Sequence, residues 1–524
     1  MTSRQFEIVK KRIFPAAFLV ILVLGVQLPG IARPFGGHFA SYQSSVMAAI
    51  SRNIVHENFS DLLIPKMDLM VSGERAWHLN QYPFPSLAVA VLKKMSGGSY
   101  EMLGRLQAVL CNLISILLCG LIAARLLGSR QGWAAAYLYG LSPFSLIYGQ
   151  AFMSEAMALC GLLAAYYFYL RSVETSTWNY PRLILAGVLL STALTGRIHL
   201  ALVGPFFAMD ILRRRRSFFA AFLFGLAALL LPLLWYGYTY FASIDSTHVI
   251  TNIFIQKAAR PANAISQYWS MEFIGHLLWV VGARVMTPAA WPLFFAGCWA
   301  IRKKFFALWV LISSLGLQLL MCVLLPQKVT AHEFYLIGLT PFLAMGCAAG
   351  IISLGERFHF LNLRLFRVVF VAGYFLMSLR LSAGPVFSQQ KDIQEVLAAA
   401  QYTQTHTLPT DKIVIFGDGP AVAAYYVNRP CRTMELSALG GELSYYLKDT
   451  RFTKADPMEI QREELAMRDF VTWLDYLRQV GIQYFLAPNR DELDSQKKLL
   501  EYLKATAVEV NPRDAGFYLF QLKQ

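Results

Sequence analysis

Charged residues are scarce in this chain of 524 residues. Only 15% of them are charged, whereas 56% are hydrophobic and 14% are aromatic, and the mean hydropathy is +0.45. This balance excludes an ordinary soluble domain and predicts a polytopic membrane protein. The cysteines give no information about function. Six of the seven lie within apolar segments, and their spacing suggests neither a disulfide framework nor a metal site.

The positive charge lies in short clusters at the ends of apolar runs. A net charge of +15 could indicate nucleic acid, but no basic stripe with interleaved aromatic residues is present, so no nucleic-acid partner is expected. The largest cluster, Arg213 to Arg216, separates two apolar runs. Because short basic loops stay in the cytoplasm, this block is expected inside, with the functional face on the outer side of the cell's inner (plasma) membrane.

The apolar runs predict about eleven membrane crossings. A spanning helix needs about 20 apolar residues. The amino terminus is expected inside, the first run is expected to be an uncleaved anchor because no A-x-A-like cleavage site follows it, and the carboxyl terminus is expected outside. The clear runs are Ile13 to Ile31, Arg105 to Leu127, Gly132 to Tyr148, Phe152 to Leu170, Ser217 to Tyr238, Phe305 to Leu325, Phe334 to Leu354 and Leu365 to Ala383.

Two further regions are irregular. Between Arg182 and Arg213, whose charges both belong inside, the pattern predicts two short spans, Leu183 to Thr195 and Leu200 to Leu212, that meet at an outer polar turn. Phe273 to Met286 is expected to lie as an amphipathic helix at the outer surface, and Thr287 to Ala300 to cross the membrane.

These patterns predict an all-α polytopic membrane bundle followed by a small extracytoplasmic α/β domain. The bundle covers residues 1–384 and includes an outer segment, residues 32–104, with a helix from Tyr42 to Val55. The tail, residues 385–524, is less apolar. Its predicted elements are strands Ile413 to Phe416 and Ile482 to Leu486 and helices Pro420 to Val427 and Met458 to Gln479.

Polar residues near the outer face are the candidate site, because such groups are costly at membrane depth. Glu155 lies at the start of a predicted span. It is either a functional acid or an acid that the helix dipole stabilises at the amino-terminal end of the helix. Arg197 and His199 occupy the outer polar turn, where the arginine would hold a phosphate or extend to the interface. Lys328, His332 and Tyr335 form a donor-rich rim suited to an anion, although His332 could be only a helix cap.

A stretch rich in rings and amides lies in the outer segment, from Trp77 to Pro85. Its residues His78, Asn80, Gln81 and Tyr82 suit sugar binding by stacking and hydrogen bonds. An interfacial aromatic belt would explain the tryptophan and tyrosine but not the histidine and amides.

The layout resembles the GT-C superfamily of bacterial membrane glycosyltransferases, which includes protein mannosyltransferases that use dolichyl-phosphate-mannose and aminoarabinose transferases. The likeness covers about Ile13 to Ala383. It rests on the order and placement of the long outer segment, Gly104-Arg105, Ser154-Glu155-Ala156-Met157, Leu194-Thr195-Gly196-Arg197 and His332-Glu333-Phe334-Tyr335, with Pro341 in the following span.

The resemblance implies transfer, with inversion, of a sugar from a polyprenyl-phosphate donor to an acceptor glycan, lipid or protein. Arg197, His332 and Lys328 would stabilise the leaving lipid phosphate, and Glu155 would orient a donor hydroxyl or, with His78, hold a divalent cation. No other cofactor is implied, and no metal ligand set is diagnostic.

The sequence departs from the family where a general base is expected. Members usually carry an acidic residue soon after the first span, but residues 36–43 contain none. His38 would take that role, or an acid farther along such as Asp68 or Glu74.

Other functions remain open. A lipid or sugar transporter would show paired halves with broken helices at the midplane and charges along a path through the protein, whereas this sequence shows unequal outer loops, no internal repeat and polar groups at one rim. An oligosaccharide ligase or polymerase of the same superfamily, or an inactive relative that binds a partner through its tail, is also consistent with the residues.

The outer placement of the turn between the two short spans can be tested directly. A cysteine introduced beside His199 should react with a membrane-impermeant thiol reagent added outside intact cells. A cysteine in the arginine block should not react. Protection of the first cysteine until the membrane is opened would overturn the topology.

Overall fold

The computed structural model describes most of the chain. The described residues are 3–36, 39–71, 74–174, 178–215, 217–245, 249–251, 271–324, 332–359, 364–387, 393–417, 420–434, 469–512 and 514–523.

Helices dominate the described residues. In chain order they are α1 (Ser3–Gln27), α2 (Phe39–His56), α3 (Phe84–Ser96), α4 (Tyr100–Leu126), α5 (Ser129–Gly140), α6 (Pro143–Tyr148), α7 (Ser154–Val173), α8 (Tyr180–Gly196), α9 (Gly204–Arg215), α10 (Phe218–Asp245), α11 (Met271–Val280), α12 (Ala290–Ala300), α13 (Phe305–Leu324), α14 (Thr340–Arg357), α15 (Arg364–Phe387), α16 (Ile393–His406), α17 (Pro420–Val427), α18 (Phe470–Gln479), α19 (Arg490–Asp494) and α20 (Lys497–Thr506).

Four short segments of 3₁₀ or π-helix and eight strands complete the elements of the described residues. The short segments are a 3₁₀ helix at Ile198–Val203, a π-helix at Val281–Val285 and a 3₁₀ helix at Glu333–Leu339, besides a single 3₁₀ turn at Leu28–Gly30. The strands are β1 (Lys66–Val71), β2 (Glu74–His78), β3 (Val249–Thr251), β4 (Ile413–Phe416), β5 (Cys431–Met434), β6 (Tyr484–Ala487), β7 (Ala507–Glu509) and β8 (Tyr518–Leu522).

The chain divides into two compact units, each built from three stretches of sequence. Unit 1 comprises Met1–Ala32, Arg105–Leu234 and Asn263–Ser388, and unit 2 comprises Arg33–Gly104, Trp235–Ala262 and Gln389–Gln524. The outer segment therefore groups with the tail in unit 2, whereas the domain limits inferred from the sequence placed it with the membrane bundle.

Most of the apolar helical residues belong to unit 1. Within the described residues, five helices are long and apolar enough to cross a membrane, and a sixth crossing results if the pair Phe273–Val285 and Ala290–Ala300, bent by 85°, is one broken span. The count of eleven crossings remains a prediction. The protein is nevertheless a mostly helical membrane protein, as the composition predicted.

One expected span of unit 1 is interrupted, and one expected pair of short spans has matching helices. The single span predicted from Gly132 to Tyr148 is split into α5 and α6, because the Ser142 side chain caps α6 by accepting a hydrogen bond from the Ser145 amide and Pro143 begins that helix. The two short spans predicted after Arg182 correspond to α8 and α9, with the 3₁₀ helix at Ile198–Val203 between them.

Unit 2 is built on an eight-stranded mixed sheet of order β3-β2-β1-β5-β4-β6-β8-β7. The central strands β5, β4 and β6 are parallel, and β8 runs antiparallel to β6 and β7. Strand β1 from the outer segment joins the tail by pairing with β5 at Leu69 and Cys431. Two apolar clusters cover the sheet, one around Phe485 and Phe520 and one around Ile413 and Ile415.

Helix α2 of unit 2 is held by a buried ion pair. Arg52 donates to the Asp68 carboxylate at 2.6 Å and to the Tyr425 carbonyl at 2.8 Å, and its guanidinium lies 4.8 Å from the Tyr425 ring. Asp68 is only 2% exposed. Breaking a buried pair of this kind leaves an uncompensated charge, so Arg52 fixes α2 against β1 and α17.

Helices α12 and α14 of unit 1 approach closely through glycine. A Cβ atom on Gly297 would overlap the carbonyl oxygen of Gly346, and one on Gly350 would overlap that of Leu293. Small residues allow apolar helices to pack backbone against backbone, so these glycines set the distance between the two helices.

Alanine at Gly297 should therefore destabilise the protein. The added methyl group forces the helices apart, at a cost of about 1–3 kcal/mol, and the midpoint of thermal unfolding in detergent should fall. Gly316→Ala is the matched control, because no atom lies within 4 Å of a Cβ built there. Equal midpoints for the two variants would contradict the close packing.

Candidate functional site

A buried ion pair joins the start of α7 to the end of α8 in unit 1. Glu155, 1% exposed, lies in the first turn of α7, and Arg197, 9% exposed, is the residue that ends α8. The Arg197 guanidinium contacts the Glu155 carboxylate directly. Two residues that the sequence placed near one plane are thus brought together, and each neutralises the charge of the other.

Four aromatic side chains pack beside this pair. The Arg197 guanidinium lies 5.4 Å from the Phe334 ring and 5.9 Å from the Tyr335 ring. His199 meets the Tyr335 ring edge to face at 5.1 Å, and His332 stacks on Phe334 at 5.4 Å. The predicted residues Arg197, His199, His332 and Tyr335 therefore form one cluster with Phe334, and Tyr335 contacts each of the other four.

His199 contributes no positive charge to this cluster at neutral pH. Burial, and secondly the neighbouring Arg197 charge, lowers the pKa of His199 to about 3. The imidazole is consequently neutral and can serve only as a hydrogen-bond donor or acceptor.

A second acid and arginine lie next to the ring cluster. Glu333 accepts a hydrogen bond from the Tyr148 hydroxyl at 3.0 Å and lies 3.7 Å from the Arg284 guanidinium. Arg284 sits on the π-helix at Val281–Val285, where its guanidinium also donates to the Leu381 carbonyl at 3.4 Å. This pair is looser than the first, and its side chains are 29% and 23% exposed.

Arg284 also faces a cavity of about 670 Å³. The cavity is lined by Trp279, Ala283, Arg284, Arg380, Leu381 and Ala383. It combines apolar surface with two guanidinium groups, which is the chemistry that an amphiphile with an anionic head would meet.

Several residues that the sequence predicted as functional lie in unit 2. His78 and Gln81 are buried, and Tyr82 packs against Phe84 at 4.6 Å and edge to face against Trp235 at 4.9 Å. Asn80 is half-buried. The rings of this stretch thus belong to an apolar cluster of unit 2.

The candidates for the general base are distributed differently. Asp68 is the ion-pair partner of Arg52. Glu74 begins strand β2, although its side chain is outside the described set, and His38 and the anion-site candidate Lys328 lie outside the described residues altogether.

A divalent cation has no evident ligand set among the described residues, because no three or more of their His, Cys, Asp and Glu side chains form a group that could hold a metal ion. The two residues suggested for a cation, Glu155 and His78, belong to different units.

Sequence reasoning missed three residues of the cluster as contributors: Tyr148, Arg284 and Phe334. Arg284 carried a usable signal, since it is a charge within an otherwise apolar run. Tyr148 did not, because a tyrosine at the end of an apolar run is common at membrane interfaces.

The fold is shared with solved structures of membrane glycosyltransferases, which confirms, at the level of the fold, the resemblance inferred from the sequence. Residues 81–236 match the family model described as dolichyl-phosphate-mannose-protein mannosyltransferase, which is less than a third of the chain. That stretch contains Glu155, Arg197 and His199. No curated protein shows significant similarity in sequence.

Solved structures of glycosyltransferases share the fold over most of this chain. ArnT from Cupriavidus metallidurans, bound to undecaprenyl phosphate, has a TM-score of 0.64 and 13% identity over 98% of each chain. The archaeal oligosaccharyltransferase AglB from Archaeoglobus fulgidus, in complex with an inhibitory peptide and a dolichol-phosphate, has a TM-score of 0.59 and 11% identity over 98% of this chain and 75% of its own.

The arabinofuranosyltransferase AftD from Mycobacteria is a further structural match. It has a TM-score of 0.57 and 14% identity, and the alignment covers 98% of this chain and 40% of AftD. Identities this low show a common fold and do not by themselves transfer an activity.

The Glu155 and Arg197 pair should behave as one unit in stability measurements. Either Glu155→Gln or Arg197→Gln alone should lower the thermal unfolding midpoint in detergent, because about 3–5 kcal/mol is lost when one charge of a buried pair is left unpaired. The double variant should recover part of that loss. Strictly additive effects of the two single variants would show that the side chains do not interact.

Proposed function

We propose that this protein is an integral membrane glycosyltransferase that moves a sugar from a polyprenyl-phosphate donor to an acceptor on the outer face of the plasma membrane. The observation that carries the proposal is a cluster of paired acids, arginines and rings in unit 1, within a fold shared with ArnT and AglB structures that hold polyprenyl phosphates. Hexosyl or pentosyl transfer with inversion is the chemistry we expect.

Charge balance points to Arg284 as the main ligand of the lipid phosphate. Glu155 neutralises Arg197 in a tight buried contact, and His199 is neutral. Arg284 is held only loosely by Glu333 at 3.7 Å, is partly exposed and lines the amphiphilic cavity. Its guanidinium is therefore more available to a phosphate than that of Arg197, and an arginine binds a phosphate through paired hydrogen bonds.

The other residues of the cluster would complete the donor site. His332, Tyr335 and, on sequence grounds, Lys328 would donate hydrogen bonds to the leaving phosphate as its negative charge develops. We assign Arg197 a positioning role with Glu155, because the buried pair fixes the turn that carries His199. Glu155 would also orient a hydroxyl of the donor sugar.

Deprotonation of the acceptor requires a separate base. The Asp68 carboxylate is already hydrogen-bonded by Arg52, which weighs against it and favours His38 or Glu74. His78, Asn80, Gln81 and Tyr82 remain our candidates for sugar or acceptor contacts, and a divalent cation remains an option without a described ligand set.

We infer the orientation from the basic loops. With Arg213 to Arg216 in the cytoplasm, the amino terminus is inside and the tail outside. A transporter remains the alternative from another class, and the one-sided cluster of paired charges supports the enzyme instead.

Release of lipid phosphate is the decisive measurement. The purified protein should liberate polyprenyl phosphate from at least one labelled polyprenyl-phosphate sugar, and Arg284→Ala should reduce the rate by about 100-fold or more, as expected when one charge-stabilising donor is lost. Arg284→Lys should retain intermediate activity, because lysine keeps the charge but not the paired geometry.

Arg302→Ala is the matched control. It removes an exposed arginine of the predicted inner loop after α12, and turnover should stay at the wild-type level. Full turnover by Arg284→Ala would remove Arg284 from the donor site. Absence of release with every donor, or sugar movement across vesicles without release, would instead favour an inactive relative or a transporter.

A further inference from the structure

A polar cavity of about 470 Å³ opens at one edge of the sheet in unit 2. No residue of this cavity carried a functional prediction from the sequence. It is lined by Thr405, His406, Thr407, Leu408, Asp411, Gln483, Tyr484, Gln521 and Leu522.

Strand direction explains why these polar residues meet. Strands β4 and β6 are parallel, so Asp411 and Gln483, which precede them, lie at the same edge of the sheet. Strand β8 is antiparallel to β6, so Gln521 near its end faces Tyr484 at the start of β6. Two strand starts and one strand end therefore supply the walls.

The floor of the cavity is fixed by hydrogen bonds. Asp411 accepts from the Leu408 amide at 2.7 Å through one carboxylate oxygen, Oδ2. Gln483 accepts from the Lys412 amide at 2.7 Å through Oε1. The Thr407 hydroxyl donates to the Thr403 carbonyl at 2.7 Å. These side chains are preorganised, which reduces the entropy that a ligand must lose on binding.

The remaining polar atoms of the same side chains are available. Within the part of the chain that the structure describes, no hydrogen bond is made by four polar groups: Asp411 Oδ1, Gln483 Nε2, the Tyr484 hydroxyl and the side-chain amide of Gln521. They provide a carboxylate acceptor beside amide and hydroxyl donors. Neighbouring hydroxyl groups on a sugar ring, each both donor and acceptor, match such an array.

The lining is unfavourable for an anionic occupant. Asp411 is its carboxylic acid residue, and no lysine or arginine lines the cavity. The nearby Arg429 is buried behind the wall, where its guanidinium donates to the carbonyls of Gln404 and Thr407 at 2.9 and 3.0 Å. A phosphate or carboxylate would therefore meet the Asp411 side chain with no lysine or arginine in the lining to bind it.

Flat rings complete the site. The His406 ring at the rim stacks on Tyr402 at 3.8 Å with an interplanar angle of 15°, and Tyr484 presents a second ring in the wall. Apolar faces of sugar rings pack well on such surfaces.

We propose that this cavity is a binding site for an uncharged saccharide, distinct from the site for the charged lipid-linked donor. If the protein is the glycosyltransferase proposed above, the occupant belongs to a glycan acceptor or product, since the donor carries a phosphate. Recognition at this site does not depend on turnover, so it can be measured independently.

Saturation-transfer-difference NMR of the full chain, in a detergent without a sugar headgroup, tests the site. Neutral monosaccharides and disaccharides are the probes, and at least one should give a signal that titrates to saturation. Tyr484→Phe combined with Gln521→Ala should weaken that binding by at least about tenfold, because two hydrogen bonds are lost while the fixed floor is kept.

Three comparisons decide the outcome. Gln401→Ala, an exposed residue of α16 outside the lining, should bind as the wild type does. Arg284→Ala should lose donor cleavage and still bind the saccharide, which separates this proposal from the proposed function. Absence of a signal for every neutral sugar, unchanged binding by the double variant, or tighter binding of a sugar phosphate than of the neutral sugar would overturn the proposal.

Discussion

The contact between Glu155 and Arg197 is the interaction on which the organisation of unit 1 depends. Both side chains are buried among apolar helices, where an isolated charge would be costly, and each is tolerable because the other is present. The pair fixes where α8 ends. It thereby positions the 3₁₀ helix that carries His199, and the rings at Phe334 and Tyr335 pack over the guanidinium.

The cost of burying charge also explains why Arg197 and Arg284 differ in how far their charges are neutralised. A tightly neutralised arginine holds helices together but attracts an anion weakly, whereas a loosely held and partly exposed arginine keeps most of its field. Arg197 is of the first kind and Arg284 of the second. Residue type alone predicts Arg197 as the phosphate ligand, and the difference in pairing is the reason why we propose Arg284 for that role instead.

Local sequence patterns predicted individual elements well. The helix expected from Tyr42 to Val55 is Phe39–His56, and the strand expected from Ile413 to Phe416 has those bounds. The sheet that joins β1 to β5 was not predicted, because pairing between residues more than 300 positions apart leaves no local periodicity. Likewise, the cost of burying charge identified Glu155 and Arg197 singly, but no local pattern predicted their contact or that of Glu333 with Arg284.

The sheet of unit 2 joins the tail to the first outer segment. One sheet contains strands from the outer segment, from residues 249–251 and from the tail. Leu69 and Ala421 pack in the apolar clusters of unit 2. Removal of the tail would expose the edge of β1 and the face of α2 that Tyr425 covers. The tail is therefore part of the framework that holds the first outer segment, including the stretch from Trp77 to Pro85. The same folded body carries both that stretch and the polar cavity at the sheet edge, which are the two places that we propose for contacts with the acceptor.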